Sequence, residues 1–146
     1  MDYREAFAIS ATGMNFEKQR LDAAAANLAN MHATTGPDGA RYRPLRVVAA
    51  TPSTSFAAAF GQQSPGVAAL GVHGVRLELV DSPPRMVHDP GHPHADANGM
   101  VAFPGVDHVS EMVTLNSALR SYQANVVAMN AAKAMALKAL EIGSGK

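Results

Sequence analysis

Apolar side chains recur every seven residues along the N-terminal segment of the chain. The repeated positions are Phe7, Met14, Leu21 and Leu28, and Ala11 and Ala25 fill positions between them. A strict seven-residue period is typical of a helix that packs along a coiled-coil-like seam. Gly13 costs about 1 kcal/mol relative to alanine inside a helix, which weakens the pattern without overturning it. The turn-forming residues 34–39 follow, so the sequence predicts a helix over residues 2–31.

The C-terminal segment carries a cleaner helical pattern, with core-type positions spaced alternately by three and four residues. These positions are Met112, Leu115, Leu119, Tyr122, Val126, Met129, Lys133, Ala136 and Leu140. Asp107 suits the N-cap, Glu111 suits the first turn, and Gly143 suits the position just after the last turn. We therefore predict a helix over residues 107–142 that is about 50 Å long.

Lys18 and Lys133 each interrupt one of these apolar stripes. One interpretation is that their aliphatic stems lie along the seam while the ammonium groups reach water. The other is that each lysine sets helix register or oligomeric state, as single polar core positions can. The spacing alone leaves both open.

Between the helices the pattern changes to short strands. Residues 75–79 alternate apolar and polar side chains, which predicts a half-buried strand, and 42–50, 85–88 and 100–103 are shorter strand candidates. Residues 51–71 are rich in Ser, Thr, Ala, Gly and Pro, and we predict a flexible loop there. The predicted fold is mainly α with a small β region. It has an N-terminal helix (1–35), a β-rich middle region (36–106) and a C-terminal helix (107–146), the two helices packing as a coiled-coil-like pair.

The predicted helices are too long for this middle region to cover. Apolar residues make up 47% of the chain but aromatic residues only 5%, so a large interior is hard to build. An ordinary two-helix core is the alternative explanation of the stripes. Their length instead favours partner helices and an assembly subunit.

Charge, cysteine content and hydropathy exclude several classes of protein. Twelve basic residues balance twelve acidic ones, without the basic patch that nucleic-acid binding or an anionic membrane surface would need. The absence of cysteine excludes disulfides and thiolate chemistry. No stretch approaches the ~20 apolar residues that span a bilayer, so direct membrane insertion is not expected. The N-terminus does not resemble a cleaved secretory signal, so any export would leave the chain uncut.

The one tempting metal site is a loop in the middle region. Three histidines and two carboxylates lie within residues 88–96, and imidazole suits zinc, copper or nickel. Two prolines and a glycine in the same stretch favour a solvent-facing turn instead. Residues 94–99 partly mimic a calcium loop but lack its first Asp and last Glu, and Asx-turn chemistry before the strand at Met100 explains them better. We expect no metal and no cofactor.

Catalytic signatures are also missing from the sequence. No nucleophile elbow, phosphate-binding glycine loop or helical His-Glu pairing is present, and Ser110 and Ser121 have no recognisable base. The sequence therefore predicts a protein that is not an enzyme. Two competing hypotheses stay open, a small metal-binding or enzymatic domain and a free-standing coiled-coil adaptor.

Three blocks of sequence resemble the axial proteins of the bacterial flagellum, the rod and hook family. They are residues 10–30, residues 89–99 and residues 111–140. The residues that match family motifs are Gly13, Asn27, Asn30, Asp89, Pro90, Gly91, His92, Pro93, Tyr122 and Asn125. The middle loop and the short length resemble the proximal rod protein of the basal body. Residues 31–33, at the turn after the first helix, depart from the family pattern.

The resemblance implies an exported structural subunit. Such proteins pass unfolded and uncleaved through the flagellar type III apparatus and join the rod that crosses the periplasm and transmits torque. Its expected partners are copies of itself, other rod proteins, and the export apparatus and basal-body components. The assembly interface is predicted at Phe7, Met14, Leu21, Leu28, Met112, Leu115, Leu119, Tyr122, Val126, Met129 and Leu140.

Overall fold

Two long helices flank four short strands in the computed structural model, which describes residues 3–34, 41–49 and 74–143. The elements in chain order are α1 (Tyr3–Asn30), β1 (Leu45–Ala49), β2 (Val75–Leu79), β3 (Arg85–His88), β4 (Met100–Phe103) and α2 (His108–Gly143). The predicted fold class, mainly helical with a small region of short strands, is confirmed. The loop predicted over residues 51–71 lies outside the described residues.

Local hydrogen bonds explain where the helices begin and end. The side chain of Asp107 accepts a hydrogen bond from the backbone N–H of Ser110 at 3.1 Å, so Asp107 is the predicted N-cap of α2. The helix includes Gly143 and so runs one residue further than predicted. Beyond α1, the N–H of Ala33 bonds the carbonyl of Asn30 at 3.0 Å and turns the chain away from the helix axis.

The strands form two separate two-stranded sheets, β1 with β2 and β3 with β4. Strands β3 and β4 are antiparallel, with Arg85 opposite Phe103 and His88 opposite Met100. Gly99, just before β4, has φ of 72°, a conformation that glycine adopts without strain.

Strand β2 is correctly placed by the sequence, but its predicted half-burial is wrong for two of its three apolar residues. Leu77 and Leu79 are each 56% exposed. A two-stranded sheet has no interior of its own, and it buries a face only when another layer packs on it. Alternation of apolar and polar residues indicated the strand geometry but not the presence of such a layer.

The chain divides into two compact units, described here separately. The terminal unit comprises residues 1–19, 48–76 and 117–146, and the central unit comprises residues 20–47 and 77–116. Within the described part of the terminal unit, the buried residues are Ser10, Glu17, Ala118 and Ala132. The apolar core of the central unit is Ala23, Ala24, Val101 and Val106. Both cores are built from small or polar side chains, so neither contains much apolar area.

The central unit includes one position that only glycine can occupy. A Cβ on Gly105 would collide with the carbonyl oxygen of Pro83 and lie 2.8 Å from the Cβ of Ser82. This close backbone approach packs the segment before β3 against the segment that leads into α2.

Candidate assembly site

A single buried asparagine joins three elements of the central unit. The amide nitrogen of Asn27 donates to the carbonyl oxygen of Leu45 and to the carboxylate of Glu111, both at 2.9 Å. Its amide oxygen accepts from the N–H of Leu45 and from the hydroxyl of Tyr42, both at 2.8 Å. Asn27 is 1% exposed, so all four of its hydrogen-bonding positions are filled without water. We call Asn27, Tyr42, Leu45 and Glu111 the Asn27 junction.

The side chain of Asn27 pairs with the backbone of Leu45 in the way that a neighbouring β-strand would. Asn27 bonds both the N–H and the carbonyl of Leu45, the two groups that a neighbouring β-strand would bond. Its position on α1 therefore fixes the start of β1, and its bond to Glu111 fixes the first turn of α2. Leaving a buried donor or acceptor of this kind unpaired costs about 1–3 kcal/mol.

Electrostatics within the junction keep Tyr42 neutral. Burial raises the pKa of Tyr42 above its usual value near 10.0, and the negative charge of Glu111 raises the pKa further. Both causes disfavour the phenolate. The hydroxyl proton that Tyr42 donates to Asn27 is therefore retained throughout the physiological pH range.

Next to the junction lies an open polar cleft of about 380 Å³. Its walls include two basic side chains, Arg20 and Arg46, and two acidic ones, Asp107 and Glu111. Because charges of both signs line it, the cleft favours neither an anion nor a cation.

In the terminal unit the backbone of α1 approaches a polar residue of α2. A Cβ on Gly13 would lie 3.0 Å from both the amide nitrogen and the amide oxygen of Asn125. Asn125 itself is anchored by a 3.0 Å hydrogen bond from its amide nitrogen to the carbonyl of Ser121. The helix-weakening glycine noted in the sequence thus provides the space that Asn125 occupies.

Three of the five buried residues within the described part of α1 lie on a different heptad line from the one the sequence pattern emphasised. Ser10, Glu17 and Ala24 are spaced by seven residues and are buried. Gly13 and Asn27, which contact α2 within their own units, are fourteen residues apart. The seven-residue period is present, but its buried line consists of small and polar residues.

The predicted interface residues are only partly covered. Side chains of intermediate exposure are Phe7, Met14, Leu21, Leu28, Leu115, Tyr122, Val126 and Met129. Exposed side chains of the same set are Met112, Leu119 and Leu140. Further exposed large apolar residues on α2 are Val109, Val113, Val127, Met135, Leu137 and Ile142.

The motif residues divide between the helices and the loop before β4. Gly13, Asn27 and Asn125 make the helix contacts described above, and Asn30 donates to the carbonyl of Ala26 at 2.8 Å. Tyr122 has intermediate exposure. In the loop, Asp89, Pro90, Gly91 and Pro93 are exposed while His92 has intermediate exposure.

The loop before β4 is a hydrogen-bonded turn, as the sequence predicted. Asp96 accepts bonds from the N–H groups of Asn98 at 2.8 Å and Met100 at 2.9 Å, which is Asx-turn geometry. His92 and His94 bond the loop backbone and Thr34, respectively. Across residues 3–34, 41–49 and 74–143, no group of three or more His, Cys, Asp or Glu side chains is arranged to hold a metal ion.

Three residues that the sequence assigned to separate roles meet in the Asn27 junction, and the sequence pattern did not predict this. Glu111 was assigned only to the first helical turn, Tyr42 only to a strand, and Asn27 only to a motif. The available signal was a polar Asn inside an apolar helical run, where it must find buried partners. Its partners are distant in sequence, so the pattern could not identify them.

None of the helices that the structure describes is long and apolar enough to cross a membrane.

Comparison with known proteins gives consistent matches along the chain. Residues 7–37 match the family described as flagella basal body rod protein, and residues 97–142 match the C-terminal family of flagellar basal body rod FlgEFG proteins. The flagellar basal-body rod proteins FlgC of Escherichia coli O6:H1 and Salmonella typhimurium are 42% identical over 137 residues, covering 94% of this chain and 95% of theirs. FlgC of Bacillus subtilis is 39% identical over 142 residues, covering 92% of this chain and 94% of its own.

These matches cover the three blocks that carried the resemblance and confirm it. They extend across nearly the full length of the relatives, so the comparison includes the middle region as well as both helices. The chain therefore belongs to the family of flagellar basal-body rod proteins FlgC.

Proposed function

We propose that the protein is a structural subunit of the proximal rod of the flagellar basal body and is not an enzyme. It leaves the cytoplasm unfolded and uncleaved through the flagellar type III apparatus. It then orders beside copies of itself and other rod proteins, and it transmits torque as part of the rod that crosses the periplasm. Family membership supports the rod assignment, and the uncovered helix surfaces support assembly as the mode of action.

The observation that carries this proposal is the difference in burial between small or polar side chains and large apolar side chains on the helices. Buried positions on α1 and α2 are small or polar, whereas the large apolar residues are half-buried or exposed. Burial of apolar surface contributes roughly 25 cal/mol per Å², so the chain leaves most of this stabilisation unused. A neighbouring helix that covered these residues would recover it.

The C-terminal stretch of α2 shows the effect most clearly. Met135 and Leu137 are each 51% exposed, Leu140 is 69% exposed, and Ile142 is 82% exposed. By their spacing, Met135 and Ile142 share one helix face and Leu137 and Leu140 share another, and exposed apolar patches mark interaction sites in soluble proteins. The predicted interface residues on both helices are therefore proposed as assembly contacts, extended by Met135, Leu137 and Ile142.

Ordering on assembly follows from the same exposure. Helices derive most of their stability from tertiary packing of an apolar face, and α2 has little of that packing beyond Ala132. We expect amide protons of residues 133–143 to exchange rapidly in the purified chain, while those of β3 and β4 are protected. Equal and strong protection of both would remove the need for partner helices.

The decisive experiment replaces seam residues with aspartate. Leu119→Asp and, separately, Leu21→Asp should each leave the folded chain intact yet abolish its incorporation into basal bodies and cell motility. The physical reason is that a carboxylate cannot be buried against a neighbouring helix without a partner. Immunoblots of purified basal bodies and swimming assays measure the two effects.

The matched control is Asn130→Asp, which adds the same charge at an exposed polar position of α2. It should swim normally. Normal swimming by the Leu119→Asp and Leu21→Asp strains would contradict the proposed seam. Absence of the unsubstituted chain from basal bodies would contradict the rod assignment itself.

A further inference from the structure

The turn that precedes β4 contains an exposed asparagine, Asn98, followed directly by Gly99. Asparagine is chemically labile because the backbone nitrogen of the next residue can attack the carbon of its side-chain amide. The attack is easiest when the next residue is glycine, which has no side chain to hinder it. Asn98 is the only asparagine of the sequence that is followed by glycine. The turn therefore contains the most reactive asparagine of the chain.

The fold itself requires glycine at position 99. The φ of Gly99 is 72°, a left-handed conformation that other residues adopt only with strain. A Cβ placed on Gly99 would lie 3.1 Å from both Cε1 of His88 and Cγ of Pro90, which is closer than most side-chain contacts. Asn98 therefore has an unhindered nitrogen beside it because the turn needs glycine there.

In the folded turn, that nitrogen is already engaged. The N–H of Gly99 donates to the carbonyl of Asp96 at 2.9 Å, and the carbonyl of Gly99 accepts from the N–H of Asp89 at 2.9 Å. The N–H groups of Asn98 and Met100 both donate to the carboxylate of Asp96. Attack requires the Gly99 nitrogen to lose its proton and to approach the amide carbon in the correct geometry. The hydrogen bond to Asp96 must break first.

We propose that Asn98 is a deamidation site of this chain, labile while the chain is unfolded and protected once the turn before β4 has formed. In the reaction, the Gly99 nitrogen forms a bond to Cγ of Asn98, and the bond from Cγ to the amide nitrogen breaks. The amide nitrogen leaves as ammonia and takes the proton of the Gly99 nitrogen, which gives a cyclic imide. Water then opens the imide at one of its two carbonyl carbons, giving aspartate or isoaspartate.

Isoaspartate changes the backbone of the turn as well as its charge. It inserts an extra methylene group into the backbone between residues 98 and 99. The turn is closed across this position by the 2.9 Å bond from the N–H of Asp96 to the carbonyl of Met100. We expect the longer backbone to disrupt this bond and the pairing of His88 with Met100. Damage that occurs in the unfolded chain then opposes its folding.

This lability does not depend on the rod assignment, because it concerns only the folding of one turn. Under the proposed function, however, the chain is unfolded during export. The time that a subunit spends unfolded would then determine how much of it is modified, and folding would end the exposure of Asn98.

The test compares the purified full chain in buffer and in concentrated guanidinium chloride at the same mildly alkaline pH. Samples taken over several days are digested, and mass spectrometry of the peptide that contains residue 98 measures the modified fraction. Chromatography separates the aspartate and isoaspartate forms. Because the turn must open before the reaction, the rate in buffer equals the unfolded rate multiplied by the open fraction. We expect modification in buffer to be at least about tenfold slower than in guanidinium chloride.

Substitutions separate the chemistry from the fold. In guanidinium chloride, Gly99→Ala should slow the modification several-fold, because the methyl group hinders the attack. In buffer, Asp96→Ala should accelerate it, since the turn loses the two hydrogen bonds that this carboxylate accepts. Asp89→Ala is the matched control, because it removes the same charge from the same loop and keeps the carboxylate of Asp96. It should leave the rate in buffer unchanged.

A second asparagine provides a control within each sample. Asn116 is exposed and is followed by serine, so in guanidinium chloride it should be modified more slowly than Asn98. Equal rates for the two asparagines there, or no modification of Asn98, would show that Asn98 is not the labile site. Equal rates for Asn98 in buffer and in guanidinium chloride would show that the turn does not protect it. This last comparison uses the unsubstituted chain, so it decides the question even if Asp96→Ala fails to fold.

Discussion

The Asn27 junction and the C-terminal stretch of α2, residues 133–143, differ in which helical side chains they bury. The junction buries a polar side chain, and the stretch exposes apolar ones. In the junction, a helical side chain is buried and every one of its hydrogen-bonding positions is filled by the same chain. In the C-terminal stretch, large apolar side chains are exposed, as Leu140 and Ile142 illustrate. One region has its hydrogen bonds completed within the single chain, and the other leaves its large apolar side chains uncovered.

The difference shows how one protein can be both a defined fold and an assembly part. Polar contacts of fixed geometry specify one arrangement, because a buried polar group that loses its partner is costly. Apolar surface is less demanding in geometry and supplies the driving force for association. In this chain the polar contacts of the Asn27 junction lie where elements meet, and ten of the thirteen exposed large apolar side chains of the described residues lie on the helices.

The largest effect is expected at the junction. Asn27→Asp removes two N–H donors and places a carboxylate about as close to Glu111 as the present 2.9 Å hydrogen bond. We expect a loss of about 3 kcal/mol in the free energy of unfolding at neutral pH, because an unpaired charge is then buried beside a like charge. Urea unfolding followed by circular dichroism measures it.

Two further variants sharpen this experiment. Glu111→Gln combined with Asn27→Asp should recover much of the loss, since glutamine donates the hydrogen bond that the aspartate needs. Asn116→Asp, at an exposed position of α2, should change stability far less. Equal losses for Asn27→Asp and Asn116→Asp would show that the junction does not hold the unit together.

A smaller effect is expected from Tyr42. Because its pKa is raised in the folded state, the neutral hydroxyl is favoured by folding. Its contribution to stability is fully present below about pH 10, the unfolded value, and is lost as pH rises through the higher folded pKa. Tyr42→Phe should cost about 1 kcal/mol at neutral pH and flatten this alkaline loss.

Unfolding free energies measured from pH 7 to pH 11 check the Tyr42 prediction. Tyr122→Phe removes a tyrosine outside the junction and should keep the pH dependence of the natural chain. If the two phenylalanine variants behaved alike, the coupling of Tyr42 to Asn27 and Glu111 would be absent.

The smallest effect on the isolated chain is expected in the C-terminal stretch. Leu140→Asp should change the free energy of unfolding by no more than about 0.5 kcal/mol, because the side chain has little burial to lose. Incorporation into basal bodies should nevertheless be lost. Ala139→Asp, an adjacent exposed position, tests whether charge alone is responsible. A stability loss as large as that of Asn27→Asp would mean that this stretch is covered within the chain.

Much of the fold was predictable because it depends on local patterns. The bounds of β2, β3 and β4 match the strand patterns read from the sequence, and both helices begin and end within one residue of the predicted positions. Asp107 and Asp96 act at short range, so their capping and turn roles were visible as well. The exposure of Leu77 and Leu79 was not, since it depends on whether another layer covers the strand.

The candidate site was predictable only in part. The sequence indicated that Phe7, Leu21, Leu119 and the other predicted interface residues form a surface that packs against partner helices. Their incomplete burial supports this proposal. The buried heptad line of Ser10, Glu17 and Ala24 was missed. Ser10 and Ala24 are small and Glu17 is polar, so none of the three contributes to a pattern of large apolar residues.

By itself, the sequence determined the type and extent of the regular elements and the family, because periodicity, capping and motifs are written in neighbouring residues. Only the tertiary structure decided that Asn27 meets Tyr42, Leu45 and Glu111. Those hydrogen bonds join positions as far as 84 residues apart, and the geometry that pairs them exists only once α1, β1 and α2 are packed. The same packing decided which apolar side chains of each helix stay exposed.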